Sequence, residues 1–195
     1  MAIRKIVIPA EDLFIDRAEF ARRMGMPAEE IDPALEAECL ALLRPLLQPA
    51  AVWDEAEVHR LDDGAIDCGF GPVVSQSLTR YLRDCDRVIL MALTIGLGPE
   101  RLMPRLASSP ARRLTVDALG SAAAESLADE VSRRLAETYD CLPRFSPGYG
   151  DVPLAVQPAF LDRLDAGRQL GIRLTESFLM IPGKSITAIA GIRRE

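Results

Sequence analysis

The side chains best suited to bind a small charged molecule lie in the segment 143–153, whose sequence is PRFSPGYGDVP. Its three prolines and two glycines prevent regular secondary structure and favour a rigid loop of a kind that often carries function. Arg144 offers a planar guanidinium that can bind a carboxylate through two parallel hydrogen bonds. Tyr149 adds an aromatic face and a hydroxyl group. Together these groups could hold the amino-acid portion of a ligand beside a flat ring.

The spacing within this loop also predicts its local conformation. Ser146, Pro147, Gly148 and Tyr149 fit a type II turn, because proline presets the φ angle of the second position and glycine accepts the positive φ of the third. Such a turn would hold the Tyr149 ring in a fixed orientation. The alternative, a purely structural turn with a solvated Arg144, stays open on these residues alone.

Two glycine patterns suggest phosphate binding only superficially. The run IPGKS at 181–185 has Phe178 where a Walker loop needs its first glycine, and a strand-like run follows it instead of a helix. It predicts a turn. Gly96 and Gly98 follow an apolar run, but the third glycine position of a dinucleotide-binding pattern is Arg101. We therefore expect a simple reversal of the chain there.

Histidine and cysteine usage argues against a metal centre or a catalytic triad. His59 is the only histidine, and its charged neighbourhood predicts an exposed position. The cysteines are far apart, without a CxxC pair, and we expect reduced structural thiols; they are Cys39, Cys68, Cys85 and Cys141. No metal ligands are predicted.

Hydrophobic periodicity predicts helices joined to a central strand and to antiparallel pairs, an α+β fold. The central strand is expected at 86–95, and a short strand at 66–70, where Ile66, Cys68 and Phe70 alternate. The runs 174–180 and 185–192, separated by IPGK, predict a hairpin with each other. Helices are expected at 12–24 (ending at Gly25), 33–47, 75–84, 99–106, 115–139 and 156–169.

Composition narrows the class of protein. The 195 residues suit a single domain, 1–195, with a helical N-terminal part to about residue 50. A net charge of -6 disfavours nucleic acid as a partner. The longest apolar stretch, 88–97, is too short to span a bilayer, and the N-terminus lacks a secretory signal, so we expect a cytoplasmic protein without a membrane partner.

Two motifs connect the chain to a known family. Arg144 to Tyr149, RFSPGY, resembles the Arg-x-x-x-Gly-Tyr motif of the activation domain of cobalamin-dependent methionine synthase. GIRLTESFLMIPGKS at 171–185 is similar to the C-terminal strand pair of that domain, with its Leu-Thr-Glu-Ser core and Met-x-Pro-Gly turn. The motifs cover residues 144–192, and 86–195 is the best-matched core.

This resemblance implies a bent antiparallel sheet with flanking helices and a shallow groove that binds S-adenosylmethionine. In that family, an electron from flavodoxin or a ferredoxin-type reductant and a methyl group from S-adenosylmethionine restore methylcobalamin from the inactive cob(II)alamin. The domain places the sulfonium methyl group in line and needs no acid or base of its own. No catalytic residue is therefore expected, and the chain alone is not expected to complete a reaction.

The resemblance also assigns roles to particular residues. Arg144 would hold the methionyl carboxylate, Gly148 would allow close approach of the ligand, and an acid of the long helix, Asp129 or Glu130, would lie near it. Tyr149 and Glu176 would face the cobalamin. The predicted S-adenosylmethionine site comprises Asp129, Glu130, Arg144, Phe145, Ser146, Pro147, Gly148 and Tyr149.

The chain departs from the family in one respect that affects its function. It contains no cobalamin, folate or homocysteine module, so the expectation is that it acts on a separate cobalamin-binding methionine synthase core or another corrinoid protein. Residues before about Val73 match no motif, and an aspartate that the family uses near its own N-terminus is not found. Two alternatives remain: a docking module that no longer binds S-adenosylmethionine, and a methyltransferase for another small acceptor.

Overall fold

A four-stranded antiparallel sheet with the order β1-β2-β6-β9 forms the centre of the chain. The computed structural model describes residues 3 to 194, so residues 1, 2 and 195 of the predicted domain lie outside the described part. The strands are β1 (Arg4–Val7), β2 (Ala50–Glu57), β3 (His59–Arg60), β4 (Ile66–Asp67), β5 (Pro72–Val73), β6 (Cys85–Thr94), β7 (Arg173–Leu174), β8 (Met180–Ile181) and β9 (Ser185–Arg193). The helices are α1 (Arg17–Met24), α2 (Pro33–Leu43), α3 (Gln76–Tyr81), α4 (Gly98–Leu102), α5 (Pro110–Ala136), α6 (Gln157–Arg163) and α7 (Ala166–Leu170).

The predicted central strand is confirmed as β6, which pairs with β2 on one side and with β9 on the other. From Val88 to Thr94 it is buried throughout, as expected for a strand covered on both faces. Its side chains alternate between two cores. Ile89, Met91 and Leu93 face the core beneath α5, while Leu90 and Ala92 face a second core that contains Phe160 of α6. The prediction of an α+β fold is also confirmed.

The long helix α5 packs on one face of the sheet and begins at Pro110, five residues earlier than expected. Proline suits this first turn because its missing N–H would have no partner there. Small residues on the buried side of the helix permit close approach. The space for a Cβ at Gly120 is 3.2 Å from Cγ of Pro99, so a larger residue would push α4 away.

The single helix predicted for 156–169 is wrong. The chain forms α6 and α7 instead, and Asp165 between them adopts a positive φ of 49°. Both helices contribute to the second core, through Phe160, Leu161 and Ala166. Burial of apolar surface on this face therefore overrides the helical periodicity.

The hairpin predicted between 174–180 and 185–192 is also wrong. β9 pairs with β6 over its whole length, and β7 pairs with β8 across a turn at 175–179. Inside that turn the N–H of Leu179 donates to Oγ1 of Thr175 at 3.1 Å. β9 is apolar on both faces and is best buried beside the central strand, whereas the polar run TES closes a local turn.

The N-terminal part contains the two predicted helices, but the unpredicted strand β1 precedes them and α1 begins at Arg17 instead of residue 12. Asp16 caps α1 by accepting from the N–H of Ala18, and Gly25 ends the helix in the left-handed conformation, as predicted. Helix α2 ends at Leu43 and is followed by a 3-10 turn, Arg44–Leu46. No helix in residues 3–194 is long and apolar enough to cross a membrane.

Candidate functional site

A cavity of about 1040 Å³ opens between α5, the loop 141–149 and the segment 178–187. This volume lies at the upper end of the range usual for small-molecule sites. The structure brings five of the predicted site residues to its wall: Asp129, Arg144, Ser146, Pro147 and Tyr149. We call this cavity, with its wall, the groove.

Arg144 is fixed against α5 by three side chains. Its Nη1 donates to Oδ1 of Asp129 at 2.8 Å and to Oγ of Ser132 at 3.0 Å, and its Nη2 donates to Oε2 of Glu125 at 3.4 Å. The Arg144 side chain is 21% exposed, whereas that of Asp129 is 70% exposed. The guanidinium is thus preorganised on the groove wall, beside a carboxylate whose second oxygen reaches solvent.

Glu125 is the acidic neighbour that the sequence motifs did not reveal. Its Oε1 accepts from Arg23 at 3.1 Å while its Oε2 faces Arg144, so it links α1 to the groove. Glu125 lies four residues before Asp129, and residues at this spacing share one face of a helix. That spacing was the signal available in the sequence.

The predicted type II turn is present. The N–H of Tyr149 donates to the carbonyl of Ser146 at 3.0 Å, and Gly148 has a φ of 92°. A Cβ at Gly148 would lie 3.1 Å from Cδ2 of Leu154, so glycine is favoured here by both conformation and space. The turn leaves Tyr149 58% exposed at the mouth of the groove.

Phe145 lies outside the groove wall and anchors the loop. Its ring packs between Tyr81 and Tyr149, with centroids 5.0 and 6.0 Å away. Its backbone also exchanges hydrogen bonds with Ile189 of β9 at 2.8 and 2.7 Å. The Tyr81 hydroxyl donates to the carbonyl of Pro143 and accepts from the N–H of Gly191, and burial raises its pKa to about 12. The contacts of Tyr81 and Phe145 therefore fix the backbone on either side of Arg144.

The structure places Glu130 and Glu176 away from the groove wall. Glu130 is held by hydrogen bonds from Arg133 and Arg134, which lower the pKa of its carboxyl to about 2. It is Asp129, not Glu130, that contacts Arg144. Glu176 is exposed in the turn 175–179. Of the two acids that the resemblance offers, only Asp129 lies on the groove wall beside Arg144.

Asp151 fastens the far end of the loop to α3. Its carboxylate accepts hydrogen bonds from the hydroxyl of Ser75 and from the N–H groups of Gln76, at 2.8 Å, and Ser77, at 3.1 Å. These bonds lower the pKa of the Asp151 carboxyl well below its usual range. Gly150 allows the approach, because a Cβ there would lie 2.3 Å from Oγ of Ser77. Sequence reasoning missed this contact, since it joins segments about 75 residues apart.

The substitution Asp151→Asn is expected to lower the urea midpoint of unfolding at pH 7. Because the folded pKa is depressed, the stabilisation is present above the unfolded value of about 3.9 and is lost as the pH falls through the folded pKa. The difference between wild type and variant should therefore shrink below about pH 4. Asp162→Asn, an exposed change in α6, is the control. Equal midpoints at pH 7 would show that the contact contributes nothing.

The remaining glycine and histidine motifs have structural explanations. A Cβ at Gly98 would lie 2.4 Å from the carbonyl oxygen of Leu46, so the glycine permits the predicted chain reversal. The N–H of Gly183 donates to Oε1 of Glu100 at 2.6 Å and is not available to a phosphate. His59 is exposed, as predicted. Between residues 3 and 194, no cluster of His, Cys, Asp and Glu has the arrangement of a metal site.

Comparison with known proteins gives a match in structure but none in sequence. The sequence matches no family model and no curated protein. Among solved structures, the crystal structure of the MetH reactivation domain bound to AdoHcy superposes with a TM-score of 0.74 and 18% sequence identity. The match covers 99% of this chain and 79% of that one. The chain therefore has the fold of the MetH reactivation domain, which is the methionine synthase activation-domain fold that the motifs predict.

Proposed function

We propose that the groove binds S-adenosylmethionine and that the chain thereby supports reductive methylation of cobalamin on a corrinoid methyltransferase. The observation that carries this proposal is the pairing of Arg144 with Asp129 on the groove wall. The similarity to a domain solved with AdoHcy, the demethylated form of the same ligand, supports it independently.

The charges on the wall suit the amino-acid end of such a ligand. That end is a zwitterion, with a carboxylate and an ammonium group on one carbon atom. Arg144 uses one N–H of Nη2 and both of Nη1 for protein contacts and keeps two further N–H donors for a carboxylate. The exposed Oδ2 of Asp129 can accept from the ammonium group.

The mouth of the groove suits the sulfonium group and a partner surface. The exposed ring of Tyr149 offers an aromatic face, which attracts a cation. Two large apolar side chains of the groove wall are also exposed, Leu154 by 39% and Leu179 by 59%. We propose that these residues face the cobalamin-carrying partner, which would be a methionine synthase core or another corrinoid protein.

Positioning is then the contribution of this chain. The partner's corrinoid supplies the nucleophile when it is reduced by flavodoxin or a ferredoxin-type donor. Arg144 and Asp129 fix the amino-acid end of S-adenosylmethionine, and Tyr149 holds the sulfonium at the mouth. Fixing the reacting groups in line supplies rate enhancement without acid or base catalysis.

Calorimetric titration with S-adenosylmethionine and with AdoHcy tests the binding step. Saturable binding of both is expected, and an absence of heat at millimolar ligand would contradict the proposal. The second step is tested by adding the chain, S-adenosylmethionine and a reductant to an inactive cob(II)alamin form of a methionine synthase core. Recovery of the methylcobalamin absorption spectrum is expected only when all of them are present.

A docking module without ligand is the second candidate. The observation in its favour is that Arg144 is already neutralised by Glu125 and Asp129, so the wall is satisfied without a bound molecule. A pull-down with a cobalamin-loaded partner separates the two candidates. Docking that is insensitive to S-adenosylmethionine and to Arg144→Ala supports the docking module, and docking strengthened by the ligand supports the main proposal.

A further inference from the structure

The edge of β9 opens into the groove at Thr187. Later in β9, the N–H and C=O groups of Ile189 form hydrogen bonds with the backbone of Phe145 in the loop. The C=O of Gly191 accepts from the N–H of Leu142 in the same loop. Backbone groups two residues apart on a strand face the same side, so those of Thr187 face this edge as well. The loop leaves β9 before reaching Thr187, whose N–H and C=O have no hydrogen-bond partner in residues 3–194.

Gln157 lies beside this open edge with half of its carboxamide unused. Its Oε1 accepts from the hydroxyl of Thr187 at 3.0 Å, which fixes the side chain. The residue is only 3% exposed, and it lines the groove. Its Nε2 donates to no group within the described part of the chain. Nε2 is not among the fully buried unpaired atoms of the described chain, so it reaches the space of the groove, where a ligand can supply a hydrogen-bond acceptor.

Gln157 and Arg144 lie on opposite faces of the sheet. Ile186 packs toward the core beneath α5, on the side of Arg144, whereas Thr187 pairs with Ala92, whose side chain belongs to the second core. The groove therefore passes around the edge of β9. A ligand held by Arg144 at one end would reach Gln157 at the other, between apolar walls that include Leu154 and Met180.

We propose that Gln157 is a specificity-determining residue that recognises the base of the nucleoside half of the ligand. This inference rests on the proposed function. Apolar walls suit the faces of a purine ring, and the amide of Gln157 with the backbone of Thr187 suits its polar edge. A side-chain amide pairs well with adenine, because each offers a donor next to an acceptor. Arg144 then recognises the amino-acid half and Gln157 the adenosine half.

The substitution Gln157→Glu tests this division of roles. It keeps an oxygen to accept from Thr187 but replaces the Nε2 donor by a second acceptor. Affinities for AdoHcy and for 5′-methylthioadenosine, which lacks the amino-acid end, should both fall about tenfold or more. Arg144→Lys is the matched control, since it should weaken AdoHcy while leaving 5′-methylthioadenosine unchanged. Thermal melts of all variants establish that they are folded.

A second ligand keeps the inference testable even if the variant fails to fold. S-inosylhomocysteine, in which hypoxanthine replaces adenine, should bind wild type about tenfold more weakly than AdoHcy. Equal affinities, or a Gln157→Glu variant that binds 5′-methylthioadenosine like wild type, would overturn the role of Gln157 and leave the proposed function intact. Wild type that binds no AdoHcy would refute the proposed function itself.

Discussion

Replacing Arg144 by alanine should weaken AdoHcy binding by about 1.5–3 kcal/mol, roughly tenfold to more than a hundredfold in dissociation constant. The change removes the charge-assisted hydrogen bonds to the ligand carboxylate. It also leaves Glu125 and Asp129 facing each other without the cation that now lies between them. Both effects disfavour binding of the AdoHcy carboxylate, so calorimetric titration with AdoHcy should show the loss of affinity.

Arg133→Ala is the appropriate control for that experiment. Arg133 is also an arginine of the groove wall, but its guanidinium is engaged by Glu130 and Glu137. Its loss should change affinity by no more than a few tenths of a kcal/mol, about the size of an exposed helix ion pair. If both variants bind AdoHcy equally, the effect is one of general charge, and the specific role of Arg144 is excluded.

The groove loop was predictable because its conformation is encoded locally. Pro147 and Gly148 restrict the backbone directly, so the turn that carries Tyr149 follows from neighbouring residues. Capping by Asp16 and termination by Gly25 are local in the same sense. The resemblance added the ligand class, which physical reasoning on the loop alone left open.

The contacts that complete the site depend on partners far away in the sequence. The role of Asp151 depends on the N-terminal N–H groups of α3, and the proposed role of Gln157 depends on the loop leaving the edge of β9 before Thr187. Neither position has a local pattern that marks it. Phe145 has a marked position in the motif, which implied contact with the ligand. Its ring instead packs against Tyr81, outside the groove wall.

Strand β2 escaped prediction for a related reason. Its sequence AAVWDEAE carries charged residues that argue against a buried strand, yet Asp54 is 5% exposed. Its carboxylate is matched by the guanidinium of Arg163 in α6, 2.7 Å away. Burial of an acid is tolerable only with such a partner, and a sequence does not show which arginine will supply it.

The second core predicts a large loss of stability for Phe160→Ala. Phe160 is fully buried on the face of the sheet opposite α5, with its ring 5.1 Å from that of Phe70. Removing a buried phenylalanine side chain costs about 3–5 kcal/mol, through lost burial and through the cavity that remains. The midpoint of urea unfolding should fall accordingly, while the slope of the transition stays unchanged.

The same variant tests our proposal that residues 1–195 form a single domain. Leu127 of α5 is buried in the first core, and Leu127→Ala is expected to cost about 2–5 kcal/mol. Because the strands β6 and β9 contribute side chains to both cores, loss of packing on either face should weaken one shared transition. Phe14→Ala, at a side chain 78% exposed, is the control and should change stability by less than about 0.5 kcal/mol. Urea unfolding followed by circular dichroism could instead show two separate transitions, with only one of them shifted by Phe160→Ala. The two cores would then unfold independently, and the proposal of a single domain would be wrong.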